Sequence, residues 1–256
     1  MKFYVVWIGR QTGIFTDWDT CSKHVRGFAG AKYKSFKTRK EADAAFSGDN
    51  TTAPKTSATG DKAAAKKGAT QSPKTYTAIE IAGMTIDTKI FTDGGCVPNP
   101  GKAGSGIAVY RNEIVEELWY GLFDPRGTNN TAELNALFQA LIMAKDDIAK
   151  GKSVAIFCDS KYSIQCVTQW AVGWQKKGWT KKGGEIQNLE LIKAMFELHQ
   201  PLKDAVQVLH VSGHVGVEGN ELADRMSIMA IERREADFTR YLEQVDIEAL
   251  LAMRAG

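Results

Sequence analysis

The 256-residue sequence predicts an α/β protein, with a small α/β module at the start and a larger domain built on a mixed five-stranded sheet flanked by helices. Residues 47–77 contain no Leu, Ile, Val, Phe, Met or Trp, so they divide the chain into two parts. After them come three strand-like segments joined by short turns, a spacing that permits only antiparallel neighbours. Further on, helical and strand-like segments alternate, which is typical of a mixed sheet covered by helices.

The composition excludes several classes of protein. The chain is 43% hydrophobic and 25% charged, with a net charge of +3, as in ordinary globular proteins. Its four cysteines form no CxxC pair, which argues against structural zinc and against a disulfide scaffold. No apolar run approaches the ~20 residues of a membrane span, and the first one is too short for a secretory signal. We therefore expect a cytoplasmic protein without membrane association.

The first module is expected to span residues 1–46. "KFYVVWIG" and "GIFTDW" predict two strands, followed by a helix capped by Thr20, the strand "AKYKSF" and a helix capped by Thr38. Nine Lys and Arg against four acids, with Trp18, Tyr33 and Phe36 among them, suggest a nucleic-acid surface. The alternative is an aromatic core under solvated lysines, and composition does not decide between the two.

Two further segments flank the larger domain, which we expect at residues 78–231. Residues 47–77 predict a flexible linker that is basic, with five lysines against two aspartates. In the tail, residues 232–256, apolar side chains recur at helical spacing and predict a helix packed on its own domain.

The larger domain can be divided into elements in order. Its strands are expected at "MTIDTKIFTD", "GSGIAVYR" and "EIVEELWYG", then at "SVAIFCD" and "AVQVLHV". Helices are expected at residues 131–150, 160–170 and 188–199, with a basic loop after the second, and a last helix begins at Asn220.

The stretch "IFTDGGCVPNPGKAGSGIAVY" has the glycine content of a phosphate-binding loop. Such a loop leads into a helix, whose N-terminal N–H groups hold the phosphate. Here it leads into the alternating pattern of a strand, so the glycines are interpreted as a wide turn. Asp93 would then be a common turn acid at a strand end unless other acids join it.

Three more acids occupy positions from which they could meet Asp93. Asp159 ends one strand as Asp93 ends another, and parallel neighbours bring such residues to one sheet edge. Glu133 lies on the sheet-facing side of its helix, although with Asn130 it could also form a capping box. Asp224 lies near the start of the last helix, where a helix dipole also favours an acid.

Four clustered acids would repel one another unless cations lay between them. Oxygen ligands favour Mg²⁺ or Mn²⁺, and two such ions about 4 Å apart can clamp a phosphodiester during in-line displacement. His214, in a glycine-rich loop, could shuttle a proton or help the product leave, whereas His24, His199 and His210 have no such setting.

The motifs "TDGGCVPNPGKAG", "TNNTAEL", "CDSKY" and "GHVGVEGNELAD", in this order, resemble the four signatures of type 1 ribonuclease H over about residues 86–230. The first 46 residues resemble the hybrid-binding, viroplasmin-type domain of that family in "FYVVWIGRQTGIFTDW" and "AKYKSF". The resemblance implies a ribonuclease H-like fold and endonucleolytic cleavage of the RNA strand of RNA–DNA hybrids, leaving 5′-phosphate and 3′-hydroxyl ends. It also implies two Mg²⁺ ions, for which Mn²⁺ could substitute, and a monomer with no obligate protein partner.

The resemblance assigns roles to matching residues. Asp93, Glu133, Asp159 and Asp224 would hold the metals, His214 would act in product release, and Glu221 would be a mobile glutamate beside the site. The residues that would contact the hybrid are Asn99, Asn129, Asn130, Asn188, Thr128 at a DNA phosphate, Trp170 and Trp174 beside Lys176, Lys177, Lys181 and Lys182, and Trp18, Tyr33 and Lys34 in the first module. Ser35 stands where the family usually has a second lysine, which predicts weaker phosphate attraction.

Two other functions fit these residues less well. A related nuclease that cuts DNA is disfavoured by the asparagine-rich loops and the first module. A non-catalytic hybrid-binding protein is disfavoured because all four acids and His214 are present.

Overall fold

The computed structural model describes residues 2–8, 10–25, 32–36, 38–46, 73–213 and 216–256. It divides into two compact units, residues 1–66 and 67–256. Most of the predicted linker and His214 lie outside the described residues.

The described residues of the first unit form a three-stranded antiparallel sheet and two helices. The elements are β1 (Phe3–Ile8), β2 (Gly13–Phe15), α1 (Trp18–Val25), β3 (Lys32–Phe36) and α2 (Arg39–Phe46). The strands lie in the order β2-β1-β3, and Val6, Cys21 and Val25 form the core. The predicted cap of α1 was wrong, because the N–H of Thr20 donates to Asp17 Oδ1 at 2.7 Å and the helix already begins at Trp18.

Within its described residues, the second unit is built on a mixed sheet of seven strands. Its elements are β4 (Thr75–Tyr76), α3 (Ala78–Ala82), β5 (Thr88–Val97), β6 (Gly101–Arg111), β7 (Ile114–Gly127), α4 (Asn129–Ala149), β8 (Val154–Cys158), α5 (Lys161–Gln165), α6 (Ala171–Gln175), α7 (Leu189–His199), β9 (Val206–Val211), α8 (Glu218–Arg233), β10 (Phe238–Arg240) and α9 (Ile247–Leu251). The strands lie in the order β10-β7-β6-β5-β8-β9-β4. β5, β6 and β7 are antiparallel, whereas β5, β8, β9 and β4 run parallel. The five predicted strands form its centre.

The two additional strands, β4 and β10, lie at the sheet edges and correct two expectations. β4 falls within the predicted linker and pairs with β9. β10 falls in the tail that was expected to be a helix, where α9 is the only helix apart from the last two residues of α8. The open edge of β7 explains β10, because an unpaired edge accepts a strand and Phe238 stacks on Trp119 with ring centroids 5.5 Å apart.

Alternate side chains of the central strands feed two separate cores, as the two-residue period of a strand requires. On one face Ile90 and Val109 pack with Leu137 of α4. On the other face Phe91 and Ala108 pack with residues of α8. The sheet is therefore held between α4 and α8.

The glycines that resembled a loop lie mostly within strands. Gly94 is in β5 and Gly106 in β6, and only residues 98–100 separate the two strands. A Cβ on Gly94 would lie 2.2 Å from the backbone nitrogen of Glu133, and one on Gly106 would lie 2.1 Å from the carbonyl oxygen of Ala223. These glycines let α4 and α8 approach the sheet closely, so the interpretation as a wide turn was wrong.

The helix predicted at residues 160–170 is longer and irregular. α5 continues through a π-helical turn, Cys166–Trp170, into α6, which ends at Gln175. The predicted basic loop therefore begins only after α6. π-helical turns inside helices are frequent at functional sites.

Candidate active site

Asp93 and Asp159 reach the same sheet edge through strand register. The last parallel pair between β5 and β8 is Thr92 with Cys158, and each acid is the next residue along its strand. Asp159 follows the end of β8, as predicted. Asp93 does not end β5, which continues to Val97 in antiparallel pairing with β6.

Glu133 and Asp224 come from the two helices that enclose this edge. The N-cap of α4 is Thr128, whose hydroxyl accepts the Thr131 N–H at 3.1 Å, so the capping box considered for Glu133 does not form. Glu133 is buried, with 5% of its surface exposed. Asp224 is 2% exposed and lies in the second turn of α8, so it is not a first-turn dipole acid.

The four acids line one small cavity of about 150 Å³. They come from four different elements, so tertiary folding alone brings them together. Among the described residues, Asn129 is the only other predicted site residue that lines this cavity. The remaining lining residues are Gly94, Gly95, Cys96, Val97 and Gly256.

Burial and mutual repulsion dominate the electrostatics of the cavity. Burial, followed by the charges of Asp159 and Asp224, raises the pKa of Asp93 well above its usual range. Burial, followed by the charges of Asp93 and Asp159, does the same to the pKa of Glu133. Such a cluster disfavours full ionisation unless a positive charge compensates it.

The donor groups in the cavity fit a hard cation. Glu133, Cys158 and Asp159 each offer one ligand atom, and these atoms lie within 4.8 Å of one another. Burial and the neighbouring Glu133 and Asp159 raise the pKa of the Cys158 thiol, which keeps it protonated and makes it a poor ligand. The remaining donors are carboxylate oxygens, which suit Mg²⁺ or Mn²⁺.

Asp224 has two neighbours that the sequence did not indicate. The adjacent Arg225 forms an ion pair with its carboxylate. The backbone N–H of Gly256 donates to Asp224 Oδ1 at 3.0 Å and to Oδ2 at 3.2 Å. Gly256, at the end of the tail, therefore lines the cavity.

Glu221 lies outside the cavity lining. Its Oε1 accepts the N–H of Gly216 at 2.9 Å and so holds the end of the loop that precedes α8. His214 belongs to that loop but is outside the described residues. A Cβ on Gly213 would lie 2.6 Å from Asp159 Oδ2, so the loop starts directly against the site.

The predicted hybrid-contacting polar residues form two groups beside the cavity. Asn99 is exposed, and its Oδ1 accepts the N–H of Asn129 at 3.3 Å, while Asn130 is exposed at the start of α4. Asn188 belongs to the other group, since its Oδ1 accepts from Thr131 Oγ1 at 3.0 Å. Thr131 Oγ1 in turn lies 2.8 Å from Thr128 Oγ1.

Aromatic pairs occur in both units. Trp170 and Trp174 lie with ring centroids 5.9 Å apart, each partly exposed beside the lysine-rich segment. In the first unit Trp18 is 38% and Tyr33 is 46% exposed, with centroids 5.7 Å apart. Lys34 is exposed and its Nζ lies 5.7 Å from the Phe36 ring. Trp18 and Tyr33 are thus surface residues, which contradicts the alternative of a wholly aromatic core.

Two residues next to Asp159 were missed. The amide of Asn220 lies 3.5 Å from Asp159 Oδ2, and His210 Nε2 lies 3.1 Å from the Asp159 carbonyl oxygen. Asn220 precedes Asp224 by four residues, so helical periodicity could have placed it on the same face. His210 needs the register of β8 with β9, which the sequence does not give.

Comparisons with known proteins agree with this arrangement. Residues 86–232 match the family described as RNase H, and residues 2–46 match the family described as Ribonuclease H1 N-terminal domain. Ribonuclease H1 of Mus musculus is 31% identical over 255 residues, covering 88% of this chain and 87% of its own. Ribonuclease H of Acidovorax sp. (strain JS42) is 37% identical over 145 residues, covering 56% of this chain and 94% of its own.

A solved structure has the same fold. The crystal structure of LC9-RNase H1, a type 1 RNase H with the type 2 active-site motif, is similar with a TM-score of 0.53 and 23% identity, covering 66% of this chain and 82% of that one. Among the described residues, no helix is long and apolar enough to cross a membrane.

Proposed function

Because the chain belongs to the ribonuclease H family and is a ribonuclease H that degrades the RNA of RNA–DNA hybrids, we propose that it does so by two-metal-ion hydrolysis at the cavity of the four acids. The products would carry 5′-phosphate and 3′-hydroxyl ends. The observation that carries the proposal is the convergence of four acids from separate elements on one buried cavity.

Asp93, Glu133, Asp159 and Asp224 would hold two Mg²⁺ ions, with Mn²⁺ as a substitute. Bound there, the ions would supply an activated water and stabilise the charge that develops on the leaving oxygen. The raised pKa values of Asp93 and Glu133 support this assignment, because they arise from burial and from mutual repulsion, and bound divalent cations would offset both.

The chain's own residues would bind and orient the hybrid. Asn129 lines the cavity, and Asn99 accepts its N–H. An amide can both donate to and accept from an RNA 2′-hydroxyl. Trp170 and Trp174 would line the path of the DNA strand beside Lys176, Lys177, Lys181 and Lys182. Thr128 and Asn188 would also contact the hybrid, and the Thr131 hydroxyl, which hydrogen-bonds to both, would hold them side by side.

His214 would assist product release from the loop that starts against Asp159, with Glu221 holding the far end of that loop. A histidine suits this task because it changes charge near neutral pH. Its replacement by alanine should slow turnover after the first cleavage more than the first cleavage itself.

The first unit, residues 1–46, would bind hybrid through Trp18 and Tyr33, with Lys34 near the backbone. Residues 47–77, except for β4 at their end, would tether it to the catalytic domain, which comprises β4 and residues 78–231. The tether would raise the local concentration of hybrid at the active site. Residues 232–256 would complete the domain edge. Deleting residues 1–46 should reduce the number of cuts per binding event more than the rate of a single cut.

The direct test incubates end-labelled RNA–DNA hybrid, duplex DNA and duplex RNA with the full chain and Mg²⁺. We expect cleavage of the hybrid RNA strand alone, with products that a kinase labels only after phosphatase treatment. Asp159→Asn should abolish cleavage while hybrid binding persists. Equal cutting of duplex DNA, or full activity of Asp159→Asn, would contradict the proposal.

A further inference from the structure

We propose that His210 is a positioning residue that fixes the backbone of Asp159, and that Thr75 fixes the tautomer of His210. The inference rests on the proposed role of Asp159. It begins from the place of Asp159 in the chain, directly after β8. The paired residues of β8 with β5 and with β9 end one position earlier, at Cys158, so Asp159 lies at the edge of the ladder.

His210 contacts the backbone of Asp159 from the neighbouring strand. It lies on β9 opposite Cys158, and its Nε2 is 3.1 Å from the carbonyl oxygen of Asp159. A carbonyl oxygen can only accept a hydrogen bond, so Nε2 must carry the proton. The side chain is 5% exposed, and this buried contact leaves it little freedom to move.

The other ring nitrogen has a matching partner. Nδ1 lies 2.8 Å from Thr75 Oγ1. With the proton on Nε2, Nδ1 of a neutral ring must accept, and the Thr75 hydroxyl is a suitable donor. Both nitrogens are then satisfied in only one tautomer.

Through Thr75, this contact links the active site to strand β4. It lies in β4, paired in parallel with β9 at His210 itself. A two-residue strand from the end of the predicted linker thus supports an active-site acid through one imidazole ring. Neither Thr75 nor His210 is among the described residues that line the cavity, so their effect on catalysis would pass through Asp159.

The first test compares Thr75→Val with Thr75→Ser in the full chain. Valine removes the donor but keeps the shape, and serine keeps the donor. We expect Thr75→Val to lower kcat about fivefold, which corresponds to about 1 kcal/mol for one neutral hydrogen bond, with KM for hybrid unchanged. Thr75→Ser should retain the kcat of the unmodified chain.

The matched control is Thr77→Val, two residues along. The Thr77 hydroxyl accepts the Glu80 N–H at 3.3 Å as the N-cap of α3 and makes no contact with Asp159. Its loss should lower the melting temperature without changing kcat. Equal kcat values for Thr75→Val and Thr77→Val would overturn the proposal.

The second test replaces the ring. His210→Gln keeps a donor and an acceptor, whereas His210→Leu keeps neither. We expect His210→Gln to recover part of the kcat that His210→Leu loses, and equal kcat values of the two variants would contradict the positioning role. If Asp159→Asn were active, the proposed function would fail instead, so the two failures are distinguishable.

Discussion

The backbone N–H of Gly256 donates hydrogen bonds to both carboxylate oxygens of Asp224, at 3.0 and 3.2 Å. Arg225 binds the same carboxylate, and its Nη2 donates to the Leu251 carbonyl at 3.3 Å. The segment after α9 is therefore fastened to a proposed metal ligand. A cation at Asp224 would need the lone pairs that these donors use.

A chain that stops after Leu251 should need less Mg²⁺. It keeps Leu250, which is buried, and loses only the segment that reaches Asp224. We expect half-maximal hybrid cleavage at an Mg²⁺ concentration lower by about two- to fivefold, the value of one lost competing hydrogen bond. Met253→Ala, which changes an exposed side chain of the same segment, is the control. An unchanged Mg²⁺ requirement of the shortened chain would contradict this expectation.

Asp93→Asn should stabilise the metal-free protein while abolishing cleavage. Because the pKa of Asp93 is higher in the folded chain than in the unfolded chain, the protonated form of Asp93 favours folding. This contribution to the free energy of unfolding is fully present below the pKa of the unfolded chain, and it is lost as pH rises through the pKa of the folded chain. The melting temperature of the variant should therefore exceed that of the unmodified chain by an amount that grows as pH rises above about 4, the ordinary pKa of an aspartate. Thermal melts in EDTA measure this difference.

Saturating Mg²⁺ should reduce the same difference, because bound cations stabilise the ionised cluster of the unmodified chain. Asp147→Asn is a useful contrast. Hydrogen bonds from Arg111 and Thr88 overcome burial and lower the pKa of Asp147, so this variant should lose stability at neutral pH. A stabilisation by Asp93→Asn that does not depend on pH would argue against ionisation of the buried Asp93 carboxylate as its cause.

Gly106→Ala should destabilise the second unit severely. The new Cβ would lie 2.1 Å from the Ala223 carbonyl oxygen and 2.4 Å from the Ser227 nitrogen, both backbone atoms of α8. We expect a loss of about 3 kcal/mol or more in the free energy of unfolding, measured with urea.

The control for that change is Gly173→Ala. Gly173 lies in α6, and a Cβ there would meet nothing within 4 Å. It should stabilise the protein by about 0.5 to 1 kcal/mol, because alanine is the better helix former. Similar effects of the two substitutions would show that α8 can move away from the sheet.

Trp18→Ala should weaken hybrid binding by the full chain about tenfold without changing the rate of cleavage at saturating hybrid. Trp18 is exposed and pairs with Tyr33, so the pair offers a stacking surface. Phe46→Ala is the control, since Phe46 is exposed at 42% on α2 of the same unit. Binding titrations by fluorescence anisotropy distinguish the two. Equal weakening by both would indicate a general loss of the unit's structure.

Much of the architecture followed from sequence pattern, because alternation and helical periodicity report which faces are buried. The five central strands and the family resemblance were confirmed. The setting of Asp93 was not foreseen: glycines usually mark turns, whereas here β5 continues through Gly94 and Gly95 because α4 and α8 press on the sheet. No local signal distinguishes a glycine required by a neighbouring helix from one required by a turn.

The surroundings of the acids were the least predictable part. The carboxylates themselves were recognisable by their motifs, but Gly256 and His210 reach them from segments remote in sequence. Their contacts depend on where the tail folds back and on the register of β9. Neither is encoded in a short stretch of residues.

The pairing of β4 with β9 has a practical consequence for anyone who wishes to study the nuclease alone. Composition places the domain boundary at residue 78, and a fragment starting there would keep all four acids. It would also lack Thr75 and leave Nδ1 of His210 without its donor. A fragment beginning at residue 73 would include the whole strand and the Thr75 hydroxyl. A nuclease fragment that keeps these contacts is therefore a few residues longer than the composition suggests.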